Sequence, residues 1–203
     1  LPRTIAPAAA GTSPGGKYAA VEPATRRFAG MSEQAAGRPQ AVASMSASWR
    51  SDPVGALEMA HAAHRIDPDN EMANHALSQA LMDAGRDAEA FEVNARGFRS
   101  ALAEIGPACW LLRRSVIQIR LGRLGDAENS AAAAFAFASD SRPSLRVLAA
   151  LRYHRGDEAG AADALHHLRK IEPDFSLELM ASPNYPVLTL RNAGLLAVTR
   201  SGL

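Results

Sequence analysis

The side chains able to move protons, hold metals or attack a carbonyl are few in this sequence, and they are scattered. His61 and His64 stand three residues apart, a spacing that puts both on one face of a helix, and His75, His154, His166 and His167 complete the set. Imidazoles so spaced could share a metal ion or relay a proton. A metal needs further ligands converging on the same point, however, and no Cys or carboxylate cluster accompanies the pair. His166 and His167, being adjacent, point to different sides of a helix. The carboxylates fall at turns: Asp67 and Asp69 at one, Asp87 with Glu89 and Asp157 with Glu158 just after a glycine. Capping of helix N–H groups and complementation of the positive helix end account for them without a general acid and base. Cys109, the only cysteine, precedes the run WLLRRSVIQIRL. It reads with Trp110 as a packing or groove residue rather than a nucleophile, and Arg113, Arg114 and Arg120 read as a partly polar face of that helix. A phosphate-cradling glycine loop ending in Lys-Ser or Lys-Thr and a His-Glu-x-x-His pair are both missing from the sequence, and the Gly-x-Ser-x-Gly spacing occurs only at Gly11 to Gly15, in proline- and glycine-rich sequence without the strand and helix that a nucleophile turn joins. These residues specify no catalytic set, cofactor or metal, and the chain is read as a non-enzyme.

Composition narrows the alternatives further. The 203 residues are 47% apolar and 21% charged, with a formal net charge of +1. That is enough apolar material for a compact domain or an elongated array, and too little charge to mark a nucleic-acid binder. A single cysteine excludes an intrachain disulfide and fits a reducing compartment. No run approaches the apolar length of a membrane span, and residues 1–20 lack a basic start followed by an apolar signal core. The expectation is a soluble, cytoplasmic chain with no direct nucleic-acid or membrane partner. Its start at Leu1 rather than Met fits a processed product, an unusual start or a fragment whose missing amino-terminal part carries an effector domain.

What must position any functional side chains is an array of helices. Residues 1–36 mix Ala, Pro, Gly and Ser, as in AAAGTSPGG, and are read as a flexible segment with at most a short helix over 20–32. Beyond them alanine-rich sequence is broken at regular places. Aligning Asp67-Pro68 with Glu172-Pro173, and Gly85 with Gly122 and Gly156, divides 37–175 into four units: 37–70, 71–104, 108–141 and 142–175. Ala56, Ala90, Ala127 and Ala161 then fall at one equivalent place, 34, 37 and 34 residues apart, with Ile105-Gly106-Pro107 as the one insertion. Two antiparallel helices and two turns consume about 34 residues, and a small residue where they cross lets the backbones approach. The three glycines close first helices in the left-handed cap conformation.

This pattern resembles the tetratricopeptide repeat (TPR) family, and the likeness covers about 37–175. Leu77, Gly85, Ala90 and Gly97 match the second unit, Gly122, Ala127 and Ala134 the third, and Leu148, Gly156, Ala161, Leu168 and Pro173 the fourth, with Ala56, Ala60, Ala63 and Pro68 in the first. In the first helix of the first unit Gln40 and Ala43 replace the large apolar residues usual there. Trp110 precedes the family's aromatic position by one residue. The proline expected near Leu102 comes only at Pro107, which implies a second helix lengthened toward Glu104. The resemblance implies an all-α, right-handed α-solenoid of about four helix pairs that scaffolds protein–protein interaction. A polypeptide would lie in a groove lined by first helices, at positions corresponding here to Met45, His75, Gln79, Arg113, Val116, Arg146, Ala150 and Tyr153. The Lys/Asn set with which some members clamp a terminal carboxylate is not reproduced.

After Phe175 the period changes. Residues 176–203 carry Leu177, Leu179, Met180, Val187, Leu188, Leu190, Leu195 and Leu196, interrupted by Pro183 and Pro186. So many apolar residues predict a helical cap over the open end of the stack. The segment also resembles the endings of bacterial regulatory or cyclase-type proteins that carry such repeats. The alternative to a peptide-binding scaffold is accordingly a self-association or structural module of a larger regulatory protein.

Overall fold

A computed structural model of the chain describes residues 41–45, 52–100 and 105–176. The expected amino-terminal segment and carboxy-terminal cap lie outside the described residues, apart from Ser176, as do residues 101–104, over which the longer second helix was expected. After a helical stretch at 41–45 the elements are α1 (Pro53–Ile66), α2 (Glu71–Asp83), α3 (Asp87–Ser100), α4 (Pro107–Arg120), α5 (Leu124–Phe137), α6 (Arg142–His154) and α7 (Glu158–Ile171). There is no strand among the described residues. The architecture is all-α, its helices arranged in packed pairs as in a TPR-like α-solenoid.

Local chemistry sets the helix ends. Asp52, Asn70 and Asp157 cap α1, α2 and α7 by accepting the backbone N–H groups of Gly55, Ala73 and Gly160. Prolines that need no helical partner for their nitrogen occupy the first turns of α1, α4 and α6. The three first helices α2, α4 and α6 stop identically. Gly85, Gly122 and Gly156 take φ of 77°, 74° and 83°. The next residue then donates back to the carbonyl five positions earlier: Arg86 to Leu81, Arg123 to Gln118 and Asp157 to Arg152, at 2.8, 2.8 and 2.9 Å. This is the Schellman arrangement, and a side chain at the glycine would strain it.

Each helix packs on its neighbour in sequence, and among the first helices α4 also touches both α2 and α6 directly. Ala56, Ala90, Ala127 and Ala161 lie at the crossings with no more than 3% exposure. Opposite three of them a serine twelve residues earlier in the first helix donates its hydroxyl to the alanine carbonyl: Ser44 to Ala56 at 2.7 Å, Ser78 to Ala90 at 3.1 Å and Ser115 to Ala127 at 2.7 Å. In the fourth unit the equivalent residue is Ala149, also buried. Around this seam run Leu77, Leu81, Met82, Val93, Ile117, Leu145, Leu148, Leu151 and Leu168, each large aliphatic side chain contributing about 1.5–3 kcal/mol by leaving water.

A second close approach is at Gly97 of α3, where an added Cβ would collide with Cη2 of Trp110. Substitution at either kind of contact tests the register. Ala90→Arg or Ala127→Arg forces a charged side chain between touching backbones and should cost about 2–5 kcal/mol, and Gly97→Ala about 1–3 kcal/mol. Thermal denaturation checks both. A midpoint left within about one degree of the parent would show that the residue is not at a helix crossing.

Candidate functional site

The most polar part of the interior lies between the second and third units and is built around Trp110, which is 0% exposed. Its indole Nε1–H donates to Oε1 of Glu71, in the first turn of α2, at 2.9 Å, and the Ile105 N–H reaches the same oxygen at 3.3 Å. The Trp110 carbonyl accepts from Nδ2 of buried Asn94 on α3 at 3.1 Å. Asn94 Oδ1 in turn accepts from Nε of Arg114 at 3.1 Å, and the Arg114 guanidinium lies 4.8 Å from the centre of the Phe98 ring. The indole is thus fully enclosed between the units, with its N–H and its main-chain carbonyl both hydrogen-bonded.

Against the indole stands His75 of α2, edge-on, with ring centres 5.1 Å apart and planes at 85°. Nη2 of Arg113, from α4, lies 3.4 Å from Nδ1 of His75. For that contact to be a hydrogen bond, the imidazole must be neutral and carry its proton on Nε2. Burial, and secondarily the Arg113 charge, hold the His75 pKa well below the usual 6.5. Burial likewise pushes Arg113 down to about 10, against the favourable field of Asp83. At neutral pH, therefore, Arg113 is a cation and His75 is not. Nε and Nη1 of Arg113 and Nε2 of His75 are buried without a hydrogen-bond partner among the described residues.

The other expected groove residues are spread along the same wall at different depths. Met45 packs, half-buried, on the small cluster of Ala41, Ala63, Ala73 and Ala76. Gln79, also half-buried, donates to Asp83 Oδ1 one turn on, at 2.7 Å. Val116 and Ala150 are buried. Arg146 is buried as well, pairs with Glu172 through Nη2 and Oε2 at 2.5 Å, and lies 5.6 Å from the Phe175 ring centre. Tyr153, two turns farther along α6, is 47% exposed. His75 and Arg113 are thus in direct contact, whereas Arg146 and Tyr153 share a helix but not an environment.

The opposite side carries a separate opening of about 420 Å³, lined by His61 and His64 of α1, Leu77 and Leu81 of α2, and Ala88, Glu89, Glu92, Val93 and Arg96 of α3. Its origin is visible in the repeat. Counting eight residues on from each crossing alanine gives His64 in the first unit but Phe98 and Phe135 in the second and third. The smaller imidazole leaves room that the phenyl rings occupy elsewhere. Burial first, then neighbouring Arg86 for His61 and Arg96 for His64, lower both histidine pKa values. Among the described residues no group of three or more His, Cys, Asp or Glu side chains is placed to share a metal ion. Cys109 is an exposed free thiol, and no described helix is long and apolar enough to cross a membrane.

Among solved structures the chain is similar to YrrB, described as a TPR protein with an unusual peptide-binding site. The identity is 12%, 90% of each chain is covered, and the TM-score is 0.54. No family model matches the sequence, and no curated protein does. At this identity the likeness speaks for the fold.

The hub of Glu71, Asn94 and Trp110 was not anticipated from the sequence, although the serine ladder had a signal there, since Ser44, Ser78 and Ser115 repeat with the spacing of the crossing alanines. One consequence can be measured in solution. His75 is neutral when folded and titrates near 6.5 when unfolded, so below about pH 6.5 the unfolded chain binds the extra proton. Stability then falls with decreasing pH by up to about 1.4 kcal/mol per unit until the folded pKa is reached. His61 and His64 add smaller losses of the same sign. Urea unfolding of the parent and of His75→Gln at pH 7.5 and 5.5 should show a clearly smaller loss in the variant. Equal losses would mean that His75 is protonated in the fold.

Proposed function

We propose that the chain is a protein-interaction scaffold that takes a polypeptide along the concave side formed by its first helices. The observation that carries this reading is that α4 touches both α2 and α6, so that we take the three first helices as one wall. Gln79, Arg113 and Tyr153 succeed one another on these helices. Arginine and tyrosine combine a polar handle with apolar area and anchor protein interfaces out of proportion to their number. The TPR-like fold supports the same reading, because its stacked pairs offer an extended surface rather than a closed pocket. YrrB, whose fold this one resembles, is described as having a peptide-binding site.

Arg146 contributes differently in this reading. Its guanidinium is held by Glu172, so it fixes the segment after α7 against α6, and a partner carboxylate would have to displace Glu172 to reach it. The peptide contacts fall instead to Gln79, Arg113 and Tyr153, with Met45 at one end of the wall. Peptides selected on the parent protein from a random library provide the test. Gln79→Ala, Arg113→Ala, Tyr153→Ala should lose at least about tenfold in affinity for them, roughly 1.4 kcal/mol or more. The outer-face variant Glu158→Ala, His166→Ala should bind them as the parent does. Loss in the outer-face variant alone would move the interaction surface to the second helices.

A further inference from the structure

We infer that Arg113, backed by His75, is a receptor for the carboxylate of an acidic side chain on the bound polypeptide, and that the free protein holds this receptor unsatisfied. The inference rests on the concave-side reading above and names the chemistry that the wall recognises.

Arg113 differs from the arginines around it. Arg120 is paired with Asp87, Arg152 and Arg155 with Glu128, Arg86 with Glu89, and Arg114 donates to Asn94. Arg113 has only the long contact from Nη2 to a neutral imidazole, while Nε and Nη1 are buried and donate to nothing among the described residues. A guanidinium keeps its proton at neutral pH, and buried charged donors without acceptors are costly enough that folded proteins rarely keep them. Trp110 contributes to the site by holding His75 edge-on. The imidazole accepts from Arg113 and brings no charge to neutralise it.

The arrangement suits a monoanion. It offers a single positive charge, and the nearby field of Asp83, which favours the Arg113 cation, would oppose a phosphate dianion. It also suits a side chain rather than a chain end, because the wall continues past Arg113 on both sides, to Gln79 on α2 and Tyr153 on α6. Arg113 as a residue is partly exposed. Its long side chain can therefore turn its donors to the groove without a backbone change, and a carboxylate would give them the acceptors they lack.

A stability–affinity opposition tests this. Arg113→Met keeps the stem and removes the charge; it should raise the thermal midpoint of the free protein while weakening binding. Three capped peptides serve as probes: a glutamate-rich one with an amidated end, its glutamine counterpart also amidated, and the glutamine counterpart with a free terminal carboxylate. Inorganic phosphate is the fourth. The parent should prefer the amidated glutamate peptide over both glutamine peptides by about tenfold, the scale of one charge-assisted contact. Binding should shift the Arg113 Nε–H resonance, and Arg113→Met should abolish the preference. A lowered midpoint for Arg113→Met overturns the inference, because the cation would then be satisfied in the fold. So does equal binding of the free-ended glutamine peptide, or tighter binding of phosphate. Glutamine-peptide binding that depends on Tyr153 but is indifferent to Arg113 removes the carboxylate site and leaves the groove standing. If no peptide binds, the inference and the groove reading fall together.

Discussion

The distance between the two helices of each pair is the constraint on which everything else in this fold depends. Alanine at the crossing lets the backbones come close enough for a serine hydroxyl on one helix to reach a main-chain carbonyl on the other. That carbonyl also belongs to the ladder of its own helix, and its second lone pair serves the serine. A larger side chain at the crossing would lengthen the distance and cost both the hydrogen bond and the packing around it. The fourth unit, with Ala149 in place of the serine, keeps the close approach without the polar tie. Small size is thus the requirement common to all four crossings, and the hydroxyl an addition in three of them.

The same logic explains why the second and third units meet through polar groups. Gly97 removes a side chain from α3, and the indole of Trp110 occupies the space. An indole so enclosed must find an acceptor for its N–H, and Glu71 supplies one from the start of α2. Glu71 is itself buried, and its charge is moderated by the indole and Ile105 N–H donors and by the positive end of the helix it opens. The insertion at Ile105-Gly106-Pro107, with Gly106 at φ 78°, brings Ile105 to the carboxylate and starts α4 immediately afterwards. Fold stability and the setting of His75 and Arg113 therefore share one set of residues.

Charge along the wall follows from which partners the fold provides. Arg120 and Arg146 meet carboxylates within the chain, at the start of α3 and just beyond α7, and become part of the scaffold. Arg113, one residue before Arg114 on α4, meets an imidazole that burial first, and then the arginine's own field, keep neutral. These three arginines, alike in the sequence, thus differ in the fold: two are tied to carboxylates, and the third keeps Nε and Nη1 without an acceptor among the described residues. On the other side, His64 in place of a phenylalanine opens a cavity whose floor is the hydrophobic core of the second unit.

How much of this could be read from residues alone depends on the range of the forces involved. The helix pairs, their stops at Gly85, Gly122 and Gly156, and the crossings at Ala56, Ala90, Ala127 and Ala161 repeat at fixed intervals. Each is set by neighbours within one or two turns or by the small size of a single side chain, which a linear sequence displays directly. Placing first helices on a common wall rested instead on the likeness to the TPR family. Which of the expected groove residues are exposed was not legible: Arg146 and Tyr153 are seven residues apart on one helix face, yet Glu172, twenty-six residues away, pairs with the first, and nothing equivalent covers the second among the described residues. The Glu71–Trp110 bond spans thirty-nine residues and joins two units. Periodicity is blind to such pairings because they depend on where helices end up relative to one another, and on desolvation that only the assembled stack imposes. The sequence by itself determined the repeat and its register; the tertiary structure alone decided which polar groups among the described residues were paired and which stayed buried without an acceptor.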